Sequence, residues 1–441
     1  MVIEIEQNPQ INACVVCPVV SGEAFALSED SRLAEIEGLA LAIKLNICHK
    51  EVVRLREVKP AMFFSRGFIE RIKPVINDDK IELMVVDGRL SPIQQRNLER
   101  ELKIKVIDRT ALILEIFGER AQTKEGALQV ELAHLTYQRS RLVRSWTHLE
   151  RQRGGAGFLG GPGETQIELD RRIIDDKIIR IKKDLEKVKK TRDIQRGARR
   201  KVPYPVVALV GYTNAGKSTL FNYLTDSAVM AADMLFATLD PTMRKVNLPN
   251  GTEVILSDTV GFISDLPHEL IMAFRATLEE VLSADIILHV RDIANPDTKA
   301  QKEDVLNVLE SLGLKEIKYA ENYIEVLNKA DLLSKEDYGS WQNKTANSAS
   351  KVLVSALTGQ GKEKLLELIE QKLSVAYTHY QITLPIAEGR LSAWLYQNSQ
   401  VDKIENQENQ NTYTVSISQE NLARFAKMTE HNDLISIRKQ K

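Results

Sequence analysis

The stretch VVALVGYTNAGKS at residues 206–218 constrains the fold of this chain more than any other. An apolar run that breaks into a glycine-rich loop predicts a buried strand, a turn and then a helix. In the pattern G-x-x-x-x-G-K-S, Gly211 and Gly216 allow consecutive backbone N–H groups to point into one concavity. Lys217 then lies between the β- and γ-phosphates, and Ser218 offers its hydroxyl to Mg²⁺. The stretch predicts a phosphate-binding loop, although two chance glycines between a strand and a helix would leave the same pattern.

Three downstream stretches decide between these interpretations. Asp258 begins DTVG and can hold Mg²⁺ through water, while the N–H group of Gly261 at its end reaches the γ-phosphate. Asp331 ends NKAD and can accept hydrogen bonds from N1–H and N2–H₂ of guanine, donors that adenine does not present. The sequence SAL at residues 355–357 offers a backbone N–H group to guanine O6. Four stretches in this order, each at the end of a predicted strand, favour GTP as the ligand and GDP as its hydrolysis product.

Several positions near the loop bear on hydrolysis. In FATLDPT, Thr238 and Thr242 are the two candidates for the residue that ligates Mg²⁺ and senses the γ-phosphate, and we favour Thr238. Phe262 stands where many GTPases have the glutamine that orients the attacking water, which a phenyl ring cannot do. We therefore predict slow intrinsic hydrolysis, with the missing group supplied by another residue, a cation or a partner. Asn214 either ligates a monovalent cation such as K⁺ that bridges the phosphates, or is an ordinary turn asparagine.

The predicted site combines these stretches. Lys217, Thr238 and Gly261 take the catalytic roles, and Ser218 and Thr238 are the predicted Mg²⁺ ligands. The predicted nucleotide-binding residues are Gly211, Tyr212, Thr213, Asn214, Ala215, Gly216, Lys217, Ser218, Thr219, Phe236, Ala237, Thr238, Asp258, Thr259, Val260, Gly261, Asn328, Lys329, Asp331, Ser355, Ala356 and Leu357.

The chain has 441 residues, enough for about three domains of ~150 residues. Strands and helices alternate before the basic middle segment, and the prolines of KVPYP separate that segment from the phosphate loop. We predict an α/β fold whose central part is a P-loop G domain with a doubly wound, mostly parallel sheet. An N-terminal α/β domain with an antiparallel helical hairpin precedes the G domain, and a small α/β C-terminal domain follows it. The predicted divisions are residues 1–116 for the N-terminal domain, 117–200 for the hairpin, 201–375 for the G domain and 376–441 for the C-terminal domain.

The hairpin is predicted from two stretches with the spacing of helices that carry a narrow apolar seam. The glycine-rich loop RQRGGAGFLGGPGET lies between them, so an antiparallel pair is the simplest arrangement. A flexible linker is the alternative, but Arg151, Arg153 and Phe158 place cationic and aromatic groups among the glycines, which suits close contact with RNA. The seam residues are Leu128, Leu132, Leu135, Leu142, Trp146 and Leu149 in the first helix and Ile167, Ile174, Ile178, Ile181, Leu185 and Val188 in the second.

Positive charge is concentrated in the same segment. Residues 139–201 contain 19 Lys/Arg and 9 Asp/Glu, an excess of +10, so the rest of the chain carries −11 within a net charge of −1. Basic helices are often only solvated faces, but this asymmetry on an otherwise acidic chain favours a polyanionic partner.

The remaining features narrow the class of protein. No apolar run approaches the ~18 residues that a transmembrane helix needs, and the acidic start MVIEIEQNPQ lacks the basic region of a signal peptide. The three cysteines cannot build a disulfide framework, so we predict buried thiols at Cys14 and Cys17 in a cytoplasmic protein. Asp87 is interpreted as part of a turn with Gly88, and the Gln/Asn-rich segment VDKIENQENQN as a surface loop.

These residues make the chain resemble the HflX family of translational GTPases. The resemblance is carried by GYTNAGKSTLFN, LFATLDPT, DTVGFI and, above all, by QVELAHLTYQRSRL and HLERQRGGAGFLGGPGETQIELDRR. It implies a GTPase that places its hairpin and glycine-rich loop on the large ribosomal subunit and, in its GTP state, separates stalled or idle ribosomes, notably under stress. We expect it to act as a monomer. A GTPase that acts in ribosome assembly or RNA remodelling is the alternative.

Overall fold

The structure is a computed structural model that describes residues 10–22, 27–152, 166–199, 204–225, 235–236, 242–264, 281–314, 316–317, 320–407, 409–429, 432 and 434–439. Across these ranges three sheets follow one another along the chain, and a pair of long helices lies between the first and the second. The α/β fold class predicted from the sequence is confirmed.

The N-terminal domain is a parallel sheet with the strand order β2-β1-β3-β4. Each of its helices begins after a serine or aspartate whose side chain accepts a hydrogen bond from a backbone N–H group of the first turn, which stabilises a helix start. The elements are β1 (Asn12–Val20), α1 (Glu29–Ala42), β2 (Asn46–Leu55), α2 (Arg66–Asp78), β3 (Leu83–Val86), α3 (Pro92–Leu102), β4 (Lys105–Asp108) and α4 (Arg109–Arg120).

The helical hairpin consists of α5 (Lys124–Gln152) and α6 (Gln166–Arg199). Leu135 packs against Ile178 and Ile181 in a small apolar cluster, with other predicted seam residues around it. Arg139, which lies farther along α5 than Leu135, pairs at 3.2 Å with Asp175, which lies nearer the start of α6 than Ile178. The two helices therefore run antiparallel, as predicted. The predicted tip residues Arg153 and Phe158 lie outside the described residues.

The G domain has a six-stranded sheet with the order β10-β9-β8-β5-β7-β6, in which β6 alone among the described strands runs antiparallel to its neighbour. The β-hairpin between β6 and β7 turns at Gly251, whose φ angle is +85°. The elements are β5 (Val206–Gly211), α7 (Lys217–Thr225), β6 (Thr242–Asn247), β7 (Glu253–Asp258), β8 (Ile286–Asp292), α8 (Thr298–Ser311), β9 (Tyr323–Asn328), α9 (Lys335–Thr345), β10 (Lys351–Leu353) and α10 (Lys362–Ala376).

The last part of the chain is an antiparallel sheet with the order β12-β13-β11-β14. The interpretation of the Gln/Asn-rich segment as a surface loop is wrong at residues 401–406, which form an edge strand that Val401 anchors on the core of this sheet, and at residues 410–411, which begin the neighbouring strand. Exposed Lys403 and Glu405 lie on that edge, where charged side chains discourage further strand pairing. The elements are β11 (Tyr377–Pro385), α11 (Gly389–Asn398), β12 (Gln400–Asn406), β13 (Gln410–Ser418), α12 (Gln419–Thr429) and β14 (Ser436–Lys439).

One apolar core is shared by the N-terminal domain and the G domain. Val15 and Ile36 from the first belong to the same buried cluster as Val210 and Phe262 from the second. Such continuous packing makes the interface resist independent movement of the two domains. The buried thiols predicted at Cys14 and Cys17 are confirmed, and burial raises the pKa of both to about 12. Within the described residues, no helix is long and apolar enough to cross a bilayer.

Candidate nucleotide site

The phosphate loop leads from β5 to α7 along a backbone path that only certain residues can follow. Asn214 and Gly216 have φ angles of +57° and +87°. A Cβ atom at Gly216 would lie 2.2 Å from Nδ2 of Asn328, so no larger residue fits there. The ammonium of Lys217 donates to the carbonyl oxygens of Gly211 at 3.1 Å and Tyr212 at 2.8 Å. Burial lowers the pKa of Lys217 to about 8, and nearby Asp258 opposes this decrease.

Ser218 and Asp258 meet beside the loop. The hydroxyl of Ser218, in the first turn of α7, donates to Oδ2 of Asp258, the last residue of β7, at 2.7 Å. A hydroxyl next to a carboxylate is a set of hard oxygen donors, which is the chemistry that Mg²⁺ prefers. These two residues therefore fit the predicted metal ion, whereas the other predicted ligand, Thr238, lies outside the described residues together with Ala237.

The segment after Asp258 is bonded directly to the phosphate loop. The N–H group of Thr213 donates to the carbonyl oxygen of Phe262 at 2.6 Å, and the N–H group of Phe262 donates to that of Gly211 at 3.1 Å. A Cβ atom at Gly261 would lie 2.9 Å from Cγ2 of Thr213 and 3.2 Å from Nζ of Lys217, so the backbone of Gly261 borders the phosphate pocket. The ring of Phe262 is 1% exposed and packs into the core, where it cannot orient a water molecule.

The base side of the site is formed after β9 and β10. Oδ1 of Asp331 accepts a hydrogen bond from the hydroxyl of Ser355 at 2.6 Å, and that hydroxyl accepts one from the N–H group of Thr358 at 3.1 Å. Lys329 has a φ angle of +62° and pairs with Asp292 at 2.8 Å. The hydrogen bond from Ser355 orients the carboxylate of Asp331 at the end of the sheet, where the sequence predicts guanine.

Asn328 takes a connecting position between two loops. Its side chain is buried, donates to the carbonyl oxygen of Ala215 at 2.8 Å and accepts from the N–H group of Ala356 at 3.0 Å. Asn328 therefore joins the phosphate loop at Ala215 to the SAL stretch at Ala356, on the side of the site where guanine is predicted. Because Ala356 uses its N–H group in this way, the donor that SAL would offer to guanine O6 stays a prediction, and the side chain of Leu357 is 77% exposed.

Four other residues of the predicted site are among the described residues. Thr219 lies in the first turn of α7, and Val260 is buried between Asp258 and Gly261. The hydroxyl of Thr259 donates to the carbonyl oxygen of Leu209 at 2.6 Å within the sheet, so it orders the strand end. The ring of Phe236 packs on Phe117 of the N-terminal domain. The binding roles of all four remain predictions.

Sequence reasoning missed a set of polar side chains from the N-terminal domain that reach this site. The hydroxyl of Tyr212 donates to Glu35 of α1 and accepts from the N–H group of Ser264 at 2.9 Å. Arg109 donates to Glu35 and to the carbonyl oxygen of Ser264. One signal was present in the sequence: charged Arg32 and Glu35 share the face of α1 that buries Ile36, and charges on a buried helix face require partners.

The chain matches four family descriptions along its length. These are "GTP-binding GTPase N-terminal" over residues 30–118, "GTP-binding GTPase Middle Region" over 120–199, "50S ribosome-binding GTPase" over 206–329 and "HflX C-terminal domain" over 340–428.

Curated relatives cover most of the chain. A protein named GTPase HflX from Magnetococcus marinus is 48% identical over 393 residues, which are 89% of this chain and 89% of that protein. The protein of the same name from Escherichia coli is 46% identical over 345 residues, 78% of this chain and 79% of the relative. That from Caldanaerobacter subterraneus is 44% identical over 78% of both chains.

Proposed function

Since the chain belongs to the HflX family of GTPases, we propose that it binds the large ribosomal subunit and, in its GTP state, dissociates stalled or idle ribosomes. Hydrolysis of GTP to GDP then times its release. The chain is a GTP hydrolase, as members of the family are. The match of the G domain to a description that reads "50S ribosome-binding GTPase" supports the large subunit as the partner.

The observation that carries the ribosomal partner is the basic face of α6. Its exposed cations follow one another through the middle of the helix, while Ile178 and Ile181 turn inward toward α5. Ribosomal RNA is a polyanion, and exposed Lys and Arg side chains on a rigid helix suit contact with its phosphates. The exposed cations are Arg171, Arg172, Lys177, Arg180, Lys182, Lys183, Lys187 and Lys190.

In the proposed reaction the described residues position the triphosphate. Lys217 turns from the loop carbonyls to the β- and γ-phosphates, and Ser218 and Asp258 are the residues that would hold Mg²⁺. A bound Mg²⁺ would supply positive charge that stabilises the negative charge developing on the triphosphate. The N–H group of Gly261 donates to the γ-phosphate from the position where its missing side chain leaves room. Because Phe262 is buried, the group that orients the water has to come from elsewhere, and we assign this step to the ribosome-bound state.

The proposal includes further assignments of oligomeric state, localisation, domain division, site residues and physiology. We propose that the chain works as a monomer in the cytoplasm, where its ribosomal partner is found. We propose domain boundaries that divide the chain into residues 1–116, 117–200, 201–375 and 376–441. We also propose that all the predicted site residues take part in binding the nucleotide, the metal ion or in catalysis. A link to stress is also part of the proposal.

Sedimentation of intact ribosomes with the protein tests the function directly. A nonhydrolysable GTP analogue should convert ribosomes to free subunits and leave the protein with the large subunit, whereas GDP should do neither. Lys217→Ala serves as the control, because it removes the phosphate contact while leaving the hairpin intact. Binding to the large subunit without any separation of ribosomes would contradict the splitting function and favour a role in assembly.

The monovalent cation gives a separate prediction at Asn214. Asn214 lies in the phosphate loop with a positive φ angle and is exposed, so its amide oxygen is open to a cation bound next to the phosphates. Replacing K⁺ by Na⁺ should lower intrinsic turnover by about tenfold, the scale of removing one transition-state interaction of ~1.4 kcal/mol. Asn214→Ala should remove the difference between the two salts. Equal rates of the parent protein in K⁺ and Na⁺ would show that Asn214 is an ordinary turn residue.

A further inference from the structure

Two neighbouring residues join the N-terminal domain to the helical hairpin and to the G domain. Asp108 is the last residue of β4, and Arg109 is the first residue of α4. Both are buried, with 2% and 5% of their surfaces exposed. Asp108 contacts the hairpin, whereas Arg109 contacts the G domain. Buried charges of this kind are strongly tied to their partners, because separating them leaves a charge uncompensated in the interior.

Arg109 connects the N-terminal sheet to the segment that follows Gly261. Its guanidinium donates to Oδ1 of Asp87 at 2.7 Å, to Glu35, and to the carbonyl oxygen of Ser264 at 3.0 Å. Burial by itself would lower the pKa of Arg109, but the two carboxylates outweigh it and raise that pKa, so the side chain remains a cation. The acceptor at Ser264 is a backbone atom, so this contact depends on the path of the main chain.

The path of this main chain is tied to the nucleotide site. Ser264 lies three residues after Gly261, whose N–H group faces the γ-phosphate in the proposed reaction. The N–H group of Ser264 also donates to the hydroxyl of Tyr212 in the phosphate loop. Helix α4 also contacts Phe236, one of the predicted nucleotide-binding residues, because the rings of Phe117 and Phe236 lie 4.7 Å apart. The carbonyl group that Arg109 contacts is therefore only three residues from Gly261, so a shift of Gly261 toward a γ-phosphate is expected to change that contact.

Asp108 fixes the hairpin at the same end of the sheet. It accepts hydrogen bonds from the hydroxyl of Tyr137 at 2.8 Å and from the guanidinium of Arg141 at 2.6 Å, both on α5. The guanidinium of Arg141 also lies over the ring of Tyr137, 4.4 Å from its centroid, and donates to Gln95 of α3. The position of α5 is thus defined by the carboxylate next to Arg109 in the chain.

We propose that Asp108 and Arg109 form the connection through which the nucleotide state at Gly261 and Ser264 sets the position of the hairpin. This inference deepens the proposed function, on which it rests for its biological meaning, by naming how one site regulates the other. The element with two states is the contact between Arg109 and the Ser264 carbonyl, which the bound nucleotide makes or breaks. By linkage, binding of the hairpin to RNA biases the same contact and therefore the nucleotide site.

Hydrogen exchange of the free full-length protein tests the connection without ribosomes. Amide protection in α5 around Tyr137 and Arg141 should differ between the nonhydrolysable GTP analogue and GDP in the parent protein. Arg109→Lys keeps the positive charge among the carboxylates but loses the reach to Ser264, so the difference should fall at least about fivefold, the lower end of usual coupling. Arg120→Lys is the matched control, because Arg120 is on the same helix and donates to the carbonyl oxygen of Ala42.

A second variant covers the possibility that Arg109→Lys does not fold. Tyr137→Phe leaves Arg109 untouched and removes only the hydroxyl that donates to Asp108. It should also reduce the nucleotide-dependent difference in α5, and in a folded double variant the two effects should not add, since both interrupt one route. The inference would be overturned if amide protection in α5 of the parent protein were the same with the GTP analogue and with GDP. It would also be overturned if the effects of Arg109→Lys and Tyr137→Phe added in the double variant.

The ribosomal arm of the experiment separates this inference from the proposed function. The ratio of large-subunit affinities in the GTP-analogue and GDP states is measured for the parent, Arg109→Lys and Arg120→Lys. A parent protein that does not bind the subunit contradicts the proposed function, while the exchange data still decide the connection. A parent with a large ratio that Arg109→Lys retains in full contradicts the connection and leaves the function intact.

Discussion

Replacement of Asp331 by asparagine is expected to lower the affinity for GTP by about 10²–10⁴-fold and to shift the preference toward xanthosine triphosphate. The carboxylate of Asp331 is fixed by Ser355 at 2.6 Å, so its geometry is prepared before the base arrives. Guanine offers two N–H donors to it, and a hydrogen bond to a charged group contributes about 1.5–3 kcal/mol. The amide of asparagine presents an N–H group to one of these donors, whereas xanthine has a carbonyl group at that position.

Titration with fluorescent guanine and xanthine nucleotides measures this exchange of preference. Asp337→Asn is the matched control, because Asp337 is an exposed carboxylate at the start of α9 that accepts a hydrogen bond from Ser334. The control should bind GTP as the parent does. If Asp331→Asn also retains the affinity of the parent for GTP, the base site lies elsewhere and the interpretation of NKAD is wrong.

The phosphate loop could be predicted from the sequence because its geometry is local. The positive φ angle of Gly216, and the carbonyl oxygens of Gly211 and Tyr212 that surround Lys217, lie within a few residues of one another. A short segment that has to adopt one backbone path leaves a fixed spacing of residue types. The same holds for the hairpin seam, in which Leu135 meets Ile178 through a repeating helical pattern.

The connecting role of Asn328 shows where this kind of reasoning stops. The stretch NKAD predicts the strand end and the base site, but the side chain of Asn328 bonds Ala215 and Ala356. Those two partners are brought together only by the strand order of the sheet. The spacing of residues within one segment carries no information on such a contact. The sequence therefore identifies Asn328 as a site residue but does not predict that it connects the two loops.

The packing of the N-terminal domain against the G domain also could not be predicted from the sequence. Glu35 and Tyr212 are 177 positions apart and meet only because both domains contribute to one core. Asp87 is predicted to be a turn residue, and it lies in a tight turn in which the N–H group of Gly88 donates to the carbonyl oxygen of Val86 at 2.9 Å. Its carboxylate is in addition paired with Arg32 at 2.7 Å and Arg109 at 2.7 Å. Buried charge on α1 indicated that partners exist, but their identity depends on tertiary structure.

The second large effect is expected from variants of the helical hairpin. Changes in its charged helix and changes in its glycine-rich tip should impair different steps, namely binding to the large subunit and separation of the subunits. Charge reversal of Lys182, Lys183 and Lys190, which are all exposed, removes their attraction to RNA phosphates. Binding to the large subunit should weaken, and the slope of log affinity against log salt should decrease by about 0.7–0.9 for each phosphate that is no longer neutralised. The affinity of the free protein for GTP should not change, since these lysines lie outside the nucleotide site.

Shortening the glycine-rich loop from Gly154 to Gly163 is expected to abolish separation of the subunits and most of the ribosome-stimulated hydrolysis. The loop lies outside the described residues, and the prediction comes from its sequence, in which glycines let the backbone approach RNA closely beside Phe158. Much of the electrostatic affinity should remain, because the lysines of α6 are retained. A Gly/Ser loop of unchanged length, with Phe158 removed, distinguishes the contribution of length from that of direct binding. If the shortened protein separates ribosomes at the rate of the parent, the loop is only a linker, and the N-terminal domain or the C-terminal sheet becomes the surface to test.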